Sequence, residues 1–312
     1  MIFGRRLNPF YGNAAADYTR VLKIGDEITD FKLFSKLAKQ GLLGFVTTKT
    51  LTNESRQGNP EPRFAWIRED LGIQSMGLPN GSIWNFPFET CDVPTLVSFT
   101  GKTKEETKTM TQFLNEKAKK SIIAVEYNLA CPNVPGCPSC YKKDSLEHLK
   151  IVRENINLPI FAKIGYFIEE ERLIDFVKEA ENIGINGITA INSPPAMGID
   201  FETGKSVVKK YGGMFGRGLK PLALRTVNII HENSNLSVIG LGGIYEYSDA
   251  IEFLRAGASA VQISSAFISK IINSHQEVLD VWSEFLSDFK QTLGSYLDCK
   301  TMSVTEIIGK LE

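Results

Sequence analysis

The chain is poor in cysteine and has no long apolar run. Five cysteines among 312 residues are too few for the disulfide framework of a short secreted scaffold, so most of them are expected to be free thiols. No stretch of about 18 uninterrupted apolar residues occurs, as a membrane-spanning helix needs, and the segment Met1 to Pro9 lacks the apolar run of a signal peptide. We therefore expect a cytoplasmic protein with no membrane partner.

The chain also lacks an excess of either charge. Its 35 lysines and arginines nearly balance its 36 aspartates and glutamates, so no overall electrostatic field favours the phosphate backbone of a nucleic acid. Hydrophobic residues make up 43% and charged residues 23%, which is typical of a folded globular protein. Nucleic acid is therefore not an expected partner.

No linker rich in proline, glycine or serine divides the chain. A single domain over residues 1–312 is expected, because α/β barrels regularly exceed about 250 residues as one unit. The longest segment without clear periodicity, residues 50–94, is too long for a plain connection. We expect it to be a long loop insertion that shapes the active site.

Short apolar runs alternate with amphipathic helical stretches such as Glu105 to Lys119 and Glu169 to Ile183, which predicts a parallel sheet. Eight runs are predicted as strands: Phe10 to Ala15, Gly44 to Thr48, Thr95 to Thr100, Ala124 to Leu129, Pro159 to Ile164, Gly187 to Asn192, Ser237 to Leu241 and Ala260 to Ser264. The expected fold class is α/β, a (β/α)8 TIM barrel. A doubly wound open sheet is the alternative, but no G-x-G-x-x-G turn follows the first strand.

The residues that carry chemistry in such a barrel lie at the carboxyl ends of the strands. Lys49 follows the second predicted strand and Lys163 lies in the fifth. Since a charged group is rarely buried without a partner, two lysines at one barrel mouth indicate an anionic ligand. For Lys49 the alternative is an ordinary surface lysine.

Glycines and serines follow the seventh and eighth predicted strands, in Gly240 to Gly243 and Gln262 to Ser265. Barrels often bind phosphate there through backbone N–H groups and the start of a helix. We interpret Gly212 to Gly216 as a further loop with exposed backbone. A phosphorylated cofactor such as FMN fits this pattern, and tight turns alone are the alternative.

The segment Asn128 to Gly136 ends the fourth predicted strand and contains Cys131 between Asn128 and Asn133. Asparagine side chains offer both a donor and an acceptor and can bind a planar ring with alternating N–H and C=O groups; Asn192-Ser193 adds another such pair. A cysteine, with an ordinary pKa of about 8.5, can accept a proton as thiolate. The alternative, given equal weight, is that Cys131 serves only as a small buried hydrophobic residue.

Together these motifs resemble those of class 1 dihydroorotate dehydrogenases, the flavoenzymes of pyrimidine biosynthesis. The matches follow one order along nearly the whole chain, which makes the resemblance specific. They are Asn13-Ala14-Ala15, Lys49-Thr50, Gly58 to Arg63, Ser75 to Asn80, the Cys131 motif, Asn192-Ser193, Lys220 to Leu224 and Gly242-Gly243.

The resemblance implies an FMN-dependent enzyme that oxidises dihydroorotate to orotate. Cys131 would be the catalytic base at ring carbon 5, with Lys49 as the second catalytic residue; Lys49 or Lys163 could favour the thiolate. Hydride would pass from carbon 6 to the flavin beside Lys163. The implied FMN-binding residues are Ala15, Lys49, Asn128, Lys163, Ser193, Gly216, Gly242, Gly243, Ser264 and Ser265. The implied substrate-binding residues are Lys49, Gln74, Met76, Gly77, Leu78, Asn128, Asn133, Asn192 and Ser193.

The subgroup that these motifs resemble most forms homodimers and passes electrons to fumarate, so a homodimer and fumarate are expected. A second subgroup uses NAD through a partner subunit and stays open. The membrane-bound, quinone-using class has a serine as its base and does not match.

Four features depart from the family pattern. Gln74 stands where asparagine is usual, Ala16 and Phe215 stand where glycine is usual, and Ser264-Ser265 replaces Gly-Thr. Alternatives therefore stay open: a related dihydropyrimidine as substrate, a flavin electron-transfer subunit of a larger complex, or an FMN-free barrel enzyme for a phosphorylated substrate.

Cys137 and Cys140 have the C-x-x-C spacing of redox pairs and metal sites. A structural metal site normally has four ligands, and beyond Cys131 only His148 is near in sequence. We interpret the two cysteines as extra thiols and expect no metal.

Overall fold

The computed structural model describes residues 11–13, 27–130, 139–142, 144–271 and 276–300. Eight parallel strands in this part of the chain form a nearly closed barrel. They are β1 (Tyr11–Asn13), β2 (Val46–Thr47), β5 (Thr95–Phe99), β6 (Ile122–Asn128), β7 (Ile160–Ile164), β8 (Gly187–Ala190), β11 (Ser237–Leu241) and β12 (Ala260–Ile263). Their order around the barrel is β1-β12-β11-β8-β7-β6-β5-β2. Each lies within or overlaps a predicted strand, so the predicted barrel is confirmed.

The first strand closes the barrel against the second. Gly12 pairs with Phe45 in parallel, and a Cβ atom on Gly12 would lie 2.5 Å from the Phe45 carbonyl oxygen. The Asn13 side chain accepts the Thr47 N–H at 2.9 Å and donates to the Thr47 carbonyl at 3.0 Å. Because only glycine fits at position 12, the two strands approach closely enough for these bonds to join them.

Helices cover the outside of the barrel. The described ones are α1 (Glu27–Lys39), α2 (Lys104–Glu116), α3 (Ser145–Asn155), α4 (Glu170–Ile183), α5 (Lys220–Asn233), α6 (Tyr247–Arg255), α7 (Ser265–Ile271) and α8 (Val278–Lys300). Helix α2 begins at Thr103, whose hydroxyl accepts the Glu106 N–H at 3.1 Å. Helix α4 ends at Gly184, which has a φ of 88° and is the C-terminal glycine that the sequence predicts. Among the described helices, none combines the length and the apolar character that crossing a bilayer requires.

The interior of the barrel is built in two layers, because residues two apart on a strand share a face. The lower layer is an apolar cluster of Phe45, Leu96, Ala124, Phe161, Ile239 and Ala260. Two residues further along five of these strands lie the buried polar side chains Thr47, Ser98, Glu126, Lys163 and Gln262. Buried Thr189 on β8 pairs in register with Lys163 and adds to them. This polar layer forms the floor below the carboxyl ends of the strands.

A second sheet, of four antiparallel strands, has the order β3-β4-β10-β9. These strands are β3 (Phe64–Arg68), β4 (Leu71–Gln74), β9 (Pro195–Ala196) and β10 (Gly212–Gly216). The segment 50–94 therefore contains the hairpin β3–β4, and its role in shaping the active site stays a prediction, as does the single-domain organisation.

The interpretation of Gly212 to Gly216 as an exposed loop is wrong, because these residues pair with β4 as strand β10 and are largely buried. The Phe215 ring stacks on Phe64 at 4.5 Å between centroids and meets Trp66 edge-on at 4.7 Å. A Cβ atom on Gly72 would overlap that ring. The phenylalanine that replaces the family's glycine is thus accommodated by a glycine on the neighbouring strand.

Candidate active site

Asn128 lies at the end of β6, at the centre of a hydrogen-bonded group at the barrel mouth. Its Nδ2 donates to the Thr50 hydroxyl at 3.0 Å, and its Oδ1 accepts the Ala130 N–H at 3.1 Å and the Asn192 amide at 3.3 Å. The Asn192 Oδ1 accepts the Ser193 N–H at 2.8 Å. Three of the predicted substrate-binding residues, Asn128, Asn192 and Ser193, are therefore brought together with their amide orientations defined.

Lys163 lies beneath this group on β7, paired in register with Asn128, and only 4% of it is exposed. Its Nζ lies 3.9 Å from Oε1 of Glu126, which is completely buried. The Ser98 hydroxyl donates to the same oxygen at 2.8 Å. The sequence reasoning missed Glu126, although an acid inside the otherwise apolar run Ile122 to Tyr127 was a usable signal.

Lys49 lies two residues after β2 and is half-buried. Within the described residues it has no ion-pair partner, unlike Lys220, whose Nζ lies 2.7 Å from Asp249 and 2.8 Å from Glu252. A cation next to the barrel mouth without a protein anion favours an anionic ligand, which agrees with the prediction from the sequence.

The segment after β4 has an unusual backbone. Gly77 and Leu78 have φ angles of 76° and 54°, and a Cβ atom on Gly77 would lie 2.7 Å from the Asn59 side chain. Arg56 Nε donates to the Gly77 carbonyl at 3.1 Å, and the Asn80 amide donates to the Leu78 carbonyl at 2.9 Å. Both carbonyls thus point into protein, while the two N–H groups have no partner among the described residues; successive N–H groups in such turns can bind an anion.

Gln74 occupies the end of β4 and holds this segment. Its Oε1 accepts the Met76 N–H at 3.1 Å, so the backbone N–H of one predicted substrate-binding residue is already bonded within the protein. A Cβ atom on Gly213 would lie 2.5 Å from the Ser193 Cβ and 3.0 Å from the Gln74 Nε2. The Gln74 amide therefore lies beside Ser193, in the pocket that the sequence predicts.

The glycines predicted to bind phosphate have the backbone that this role requires. Gly216, Gly242 and Gly243 have φ angles of 113°, 121° and 77°, and the N–H groups of Gly242 and Gly243 make no hydrogen bond to any described residue. Half-buried Ser265 begins helix α7, and its hydroxyl accepts a hydrogen bond from the Tyr245 hydroxyl at 2.8 Å. Ser264 precedes it and is also half-buried.

The polar layer of the barrel has buried atoms that could bind a planar cofactor above it. Glu126 Oε2, Thr189 Oγ1 and Gln262 Oε1 are buried and make no hydrogen bond to the described residues. Buried polar atoms without partners are rare and unfavourable. Together with Lys163 and the glycine N–H groups, they provide partners for a polar ring and a phosphate, so the residues present fit a phosphorylated flavin.

Three predicted site residues, Ala15, Cys131 and Asn133, lie outside the described residues, as does Cys137. Cys140 is buried, and its sulfur accepts the Gly165 N–H at 3.4 Å. Burial raises the pKa of the Cys140 thiol to about 12, which makes it unreactive near neutral pH.

His148 is the histidine near the cysteines in sequence. Its Nδ1 lies 2.7 Å from the Thr107 hydroxyl and 2.9 Å from the Tyr127 hydroxyl, so this histidine is held within the protein.

Comparison with known proteins gives one consistent family. The family model described as dihydroorotate dehydrogenase matches residues 29–286. The chain is 32% identical to dihydroorotate dehydrogenase B (NAD(+)), catalytic subunit, of Caldicellulosiruptor bescii, over 89% of this chain and 90% of that protein. It is 34% identical to the protein of the same name from Pyrococcus abyssi, over 85% of this chain and 86% of that protein.

A solved structure supports the fold. The crystal structure of DHODH from Eimeria tenella in complex with ferulenol superposes with a TM-score of 0.69 and covers 96% of this chain and 84% of that chain. The sequence identity between the two is 19%, so this similarity concerns the barrel alone.

Proposed function

The chain belongs to the dihydroorotate dehydrogenase family of oxidoreductases, and we propose that it oxidises (S)-dihydroorotate to orotate with FMN as its cofactor. The observation that carries the proposal is the polar group at the barrel mouth. There Asn128 and Asn192 are bonded to each other above the buried pair of Lys163 and Glu126. This group offers the donors and acceptors that an amide-containing ring needs.

The cofactor would be held at two places. Its phosphate would accept hydrogen bonds from the backbone N–H groups of Gly216, Gly242 and Gly243 and from the hydroxyls of Ser264 and Ser265. Its ring would lie near Ala15, Lys49, Asn128, Lys163 and Ser193. When bound, FMN supplies a two-electron acceptor, and Lys163 stabilises the negative charge that develops on it.

The protein's own groups handle the substrate and its proton. The N–H groups of Gly77 and Leu78, with Lys49, would bind the substrate carboxylate. Asn128, Asn133 and Asn192 would bind the ring. The thiolate of Cys131 would take the proton from carbon 5, and the hydrogen of carbon 6 would pass as hydride to the two-electron acceptor that bound FMN supplies.

The purified protein tests this proposal directly. We expect a yellow protein whose flavin absorption bleaches when dihydroorotate is added without oxygen. A yellow protein that does not bleach would instead support a related dihydropyrimidine or an electron-transfer subunit. A colourless protein without FMN would support a barrel enzyme for a phosphorylated substrate.

Gln74→Asn is expected to lower kcat/KM for dihydroorotate about tenfold without loss of FMN. The shorter side chain gives up the bond to the Met76 N–H, and a hydrogen bond of about 1 kcal/mol corresponds to somewhat less than tenfold. Steady-state kinetics measure the effect, and Gln291→Asn on the exposed side of α8 is the matched control. An increase in kcat/KM would show that the pocket is adapted to another dihydropyrimidine, since one methylene can shift preference by 10- to 200-fold, roughly.

We also propose a homodimer. Exposed apolar side chains, which we call the hairpin patch, lie on or near strands of the four-stranded sheet: Ile67 on β3 and, between β9 and β10, Met197, Ile199, Phe201 and Tyr211. Phe201 is 93% exposed. Large exposed apolar side chains are typical of association sites. Sedimentation analysis should give a particle of twice the chain mass of 34.7 kDa; a monomer would contradict the proposal.

Fumarate is the electron acceptor that we propose, on the resemblance of residues 58–63, 75–80 and 131–136 to the homodimeric subgroup. The names of the relatives from C. bescii and P. abyssi favour a second candidate, NAD(+) reduced through a partner subunit. Assays of the isolated chain distinguish the two. Turnover with fumarate alone supports the first, and turnover that requires an added partner subunit and NAD(+) supports the second.

A further inference from the structure

Glu126 is a charged residue in a place that rarely holds one. It lies in the middle of β6, faces the barrel interior, and is 0% exposed. Its neighbours across the strands are Ser98 on β5 and Phe161 on β7. The apolar cluster of the lower layer lies directly beneath it.

The contacts of Glu126 compensate its charge only in part. Oε1 accepts the Ser98 hydroxyl at 2.8 Å and lies 3.9 Å from the Lys163 Nζ, while Oε2 has no hydrogen-bond partner among the described residues. Moving two charged groups out of water costs free energy, and their attraction repays this cost only when the groups are close and their remaining lone pairs accept hydrogen bonds. A glutamine would keep the Ser98 bond at a lower desolvation cost, so stability alone does not account for a glutamate here.

The position of Lys163 gives the carboxylate a role. Lys163 is 4% exposed and lies on the neighbouring strand, paired in register with Asn128 and so two residues closer to the mouth than Glu126. Its ammonium therefore lies between the buried carboxylate and whatever occupies the mouth. Two charges about 4 Å apart in a protein interior interact far more strongly than in water. The carboxylate of Glu126 therefore offsets much of the electrostatic field that Lys163 produces at the barrel mouth.

We propose that Glu126 is a positioning residue that holds the Lys163 ammonium and partly neutralises it, thereby setting the reduction potential of the bound flavin. The inference rests on the proposed function. With Glu126 present, a bound flavin would face a nearly neutral pair of Lys163 and Glu126. Without it, an uncompensated cation would stabilise the reduced, negatively charged flavin more strongly and hinder the transfer of electrons to the acceptor.

Glu126→Gln tests the proposal in the FMN-loaded protein. We expect FMN to be retained and the oxidised-to-reduced equilibrium of the flavin to shift at least tenfold toward the reduced form, which is about 30 mV upward for a two-electron couple. Glu126→Asp, which keeps the charge, should stay within about threefold of the wild-type equilibrium. Ser98→Ala, which removes the hydrogen bond but no charge, should do the same.

A double-mutant cycle with Lys163 keeps the test decisive if the single variant Glu126→Gln does not fold. Lys163→Gln alone leaves an unpaired anion and should lower the potential, and adding Glu126→Gln to it should raise the potential again by at least tenfold in the equilibrium. An unchanged potential in both comparisons, or an equal shift in Glu126→Asp and Glu126→Gln, would overturn the role of the charge. If the wild type binds FMN and oxidises dihydroorotate, such a result refutes this inference alone; if the wild type binds no FMN, the proposed function fails with it.

Discussion

Cys131→Ala should lower the turnover of dihydroorotate by about 10²- to 10⁴-fold and leave the FMN content unchanged. A positioned base typically contributes this much, and alanine cannot accept the proton from carbon 5. The thiol is not among the groups proposed to hold the flavin. Stopped-flow reduction of the flavin by dihydroorotate measures the step itself, and the flavin-to-protein ratio measures cofactor retention.

Cys140→Ala is the matched control for the loss of a thiol. Burial raises the pKa of Cys140 to about 12, so this thiol takes no part in proton transfer, and the rate should stay within about threefold of wild type. Full activity in Cys131→Ala would refute the assignment of the base. Equal losses in both variants would indicate structural damage instead of lost chemistry.

Gly243→Ala should reduce FMN affinity by more than tenfold. Gly243 has a φ of 77°, and an added Cβ would lie 2.7 Å from the Lys220 backbone nitrogen and 2.9 Å from the Arg217 carbonyl oxygen. A non-glycine residue in this conformation costs roughly 1–2 kcal/mol, and the contacts with backbone force the loop to move. The N–H groups that would bind the phosphate then lose their alignment. Flavin fluorescence titration of the apoprotein measures the dissociation constant.

Gly204→Ala separates the two causes. Gly204 also has a left-handed φ, 65°, but an added Cβ would meet nothing within 4 Å, and it lies in the exposed segment that carries Phe201. This variant carries the same backbone penalty without the steric contact and should bind FMN as the wild type does. Wild-type affinity in Gly243→Ala would rule out the proposed phosphate site.

Much of the barrel was predictable because its signals are local. Largely apolar runs such as Ser237–Leu241 are what strands covered on both faces require, so they mark the strands in the sequence. Gly184 marked the end of α4 for a similar reason, since glycine adopts a left-handed φ without penalty. Lys49, Asn128 and Asn192 were predictable as residues near the mouth, because they end or closely follow these strands; their roles stay predictions.

Strand β10 was not predictable in this way. Gly212 to Gly216 has little strand propensity, and it becomes a strand because β4 lies beside it. Phe215 is accommodated only because Gly72 leaves room for its ring. Both effects depend on residues more than a hundred positions away, which no local pattern reports.

The sequence by itself determined the eight-stranded barrel, the family and the candidate residues at the strand ends, since periodicity and motif order are properties of the chain alone. Tertiary structure decided what surrounds them. It placed Glu126 between Ser98 and Lys163, tied Asn128 to Asn192, and bonded the Gln74 side chain to the Met76 N–H. The physical reason is that these contacts are set by the register between strands and by the closure of the barrel, which join residues that are distant in the chain.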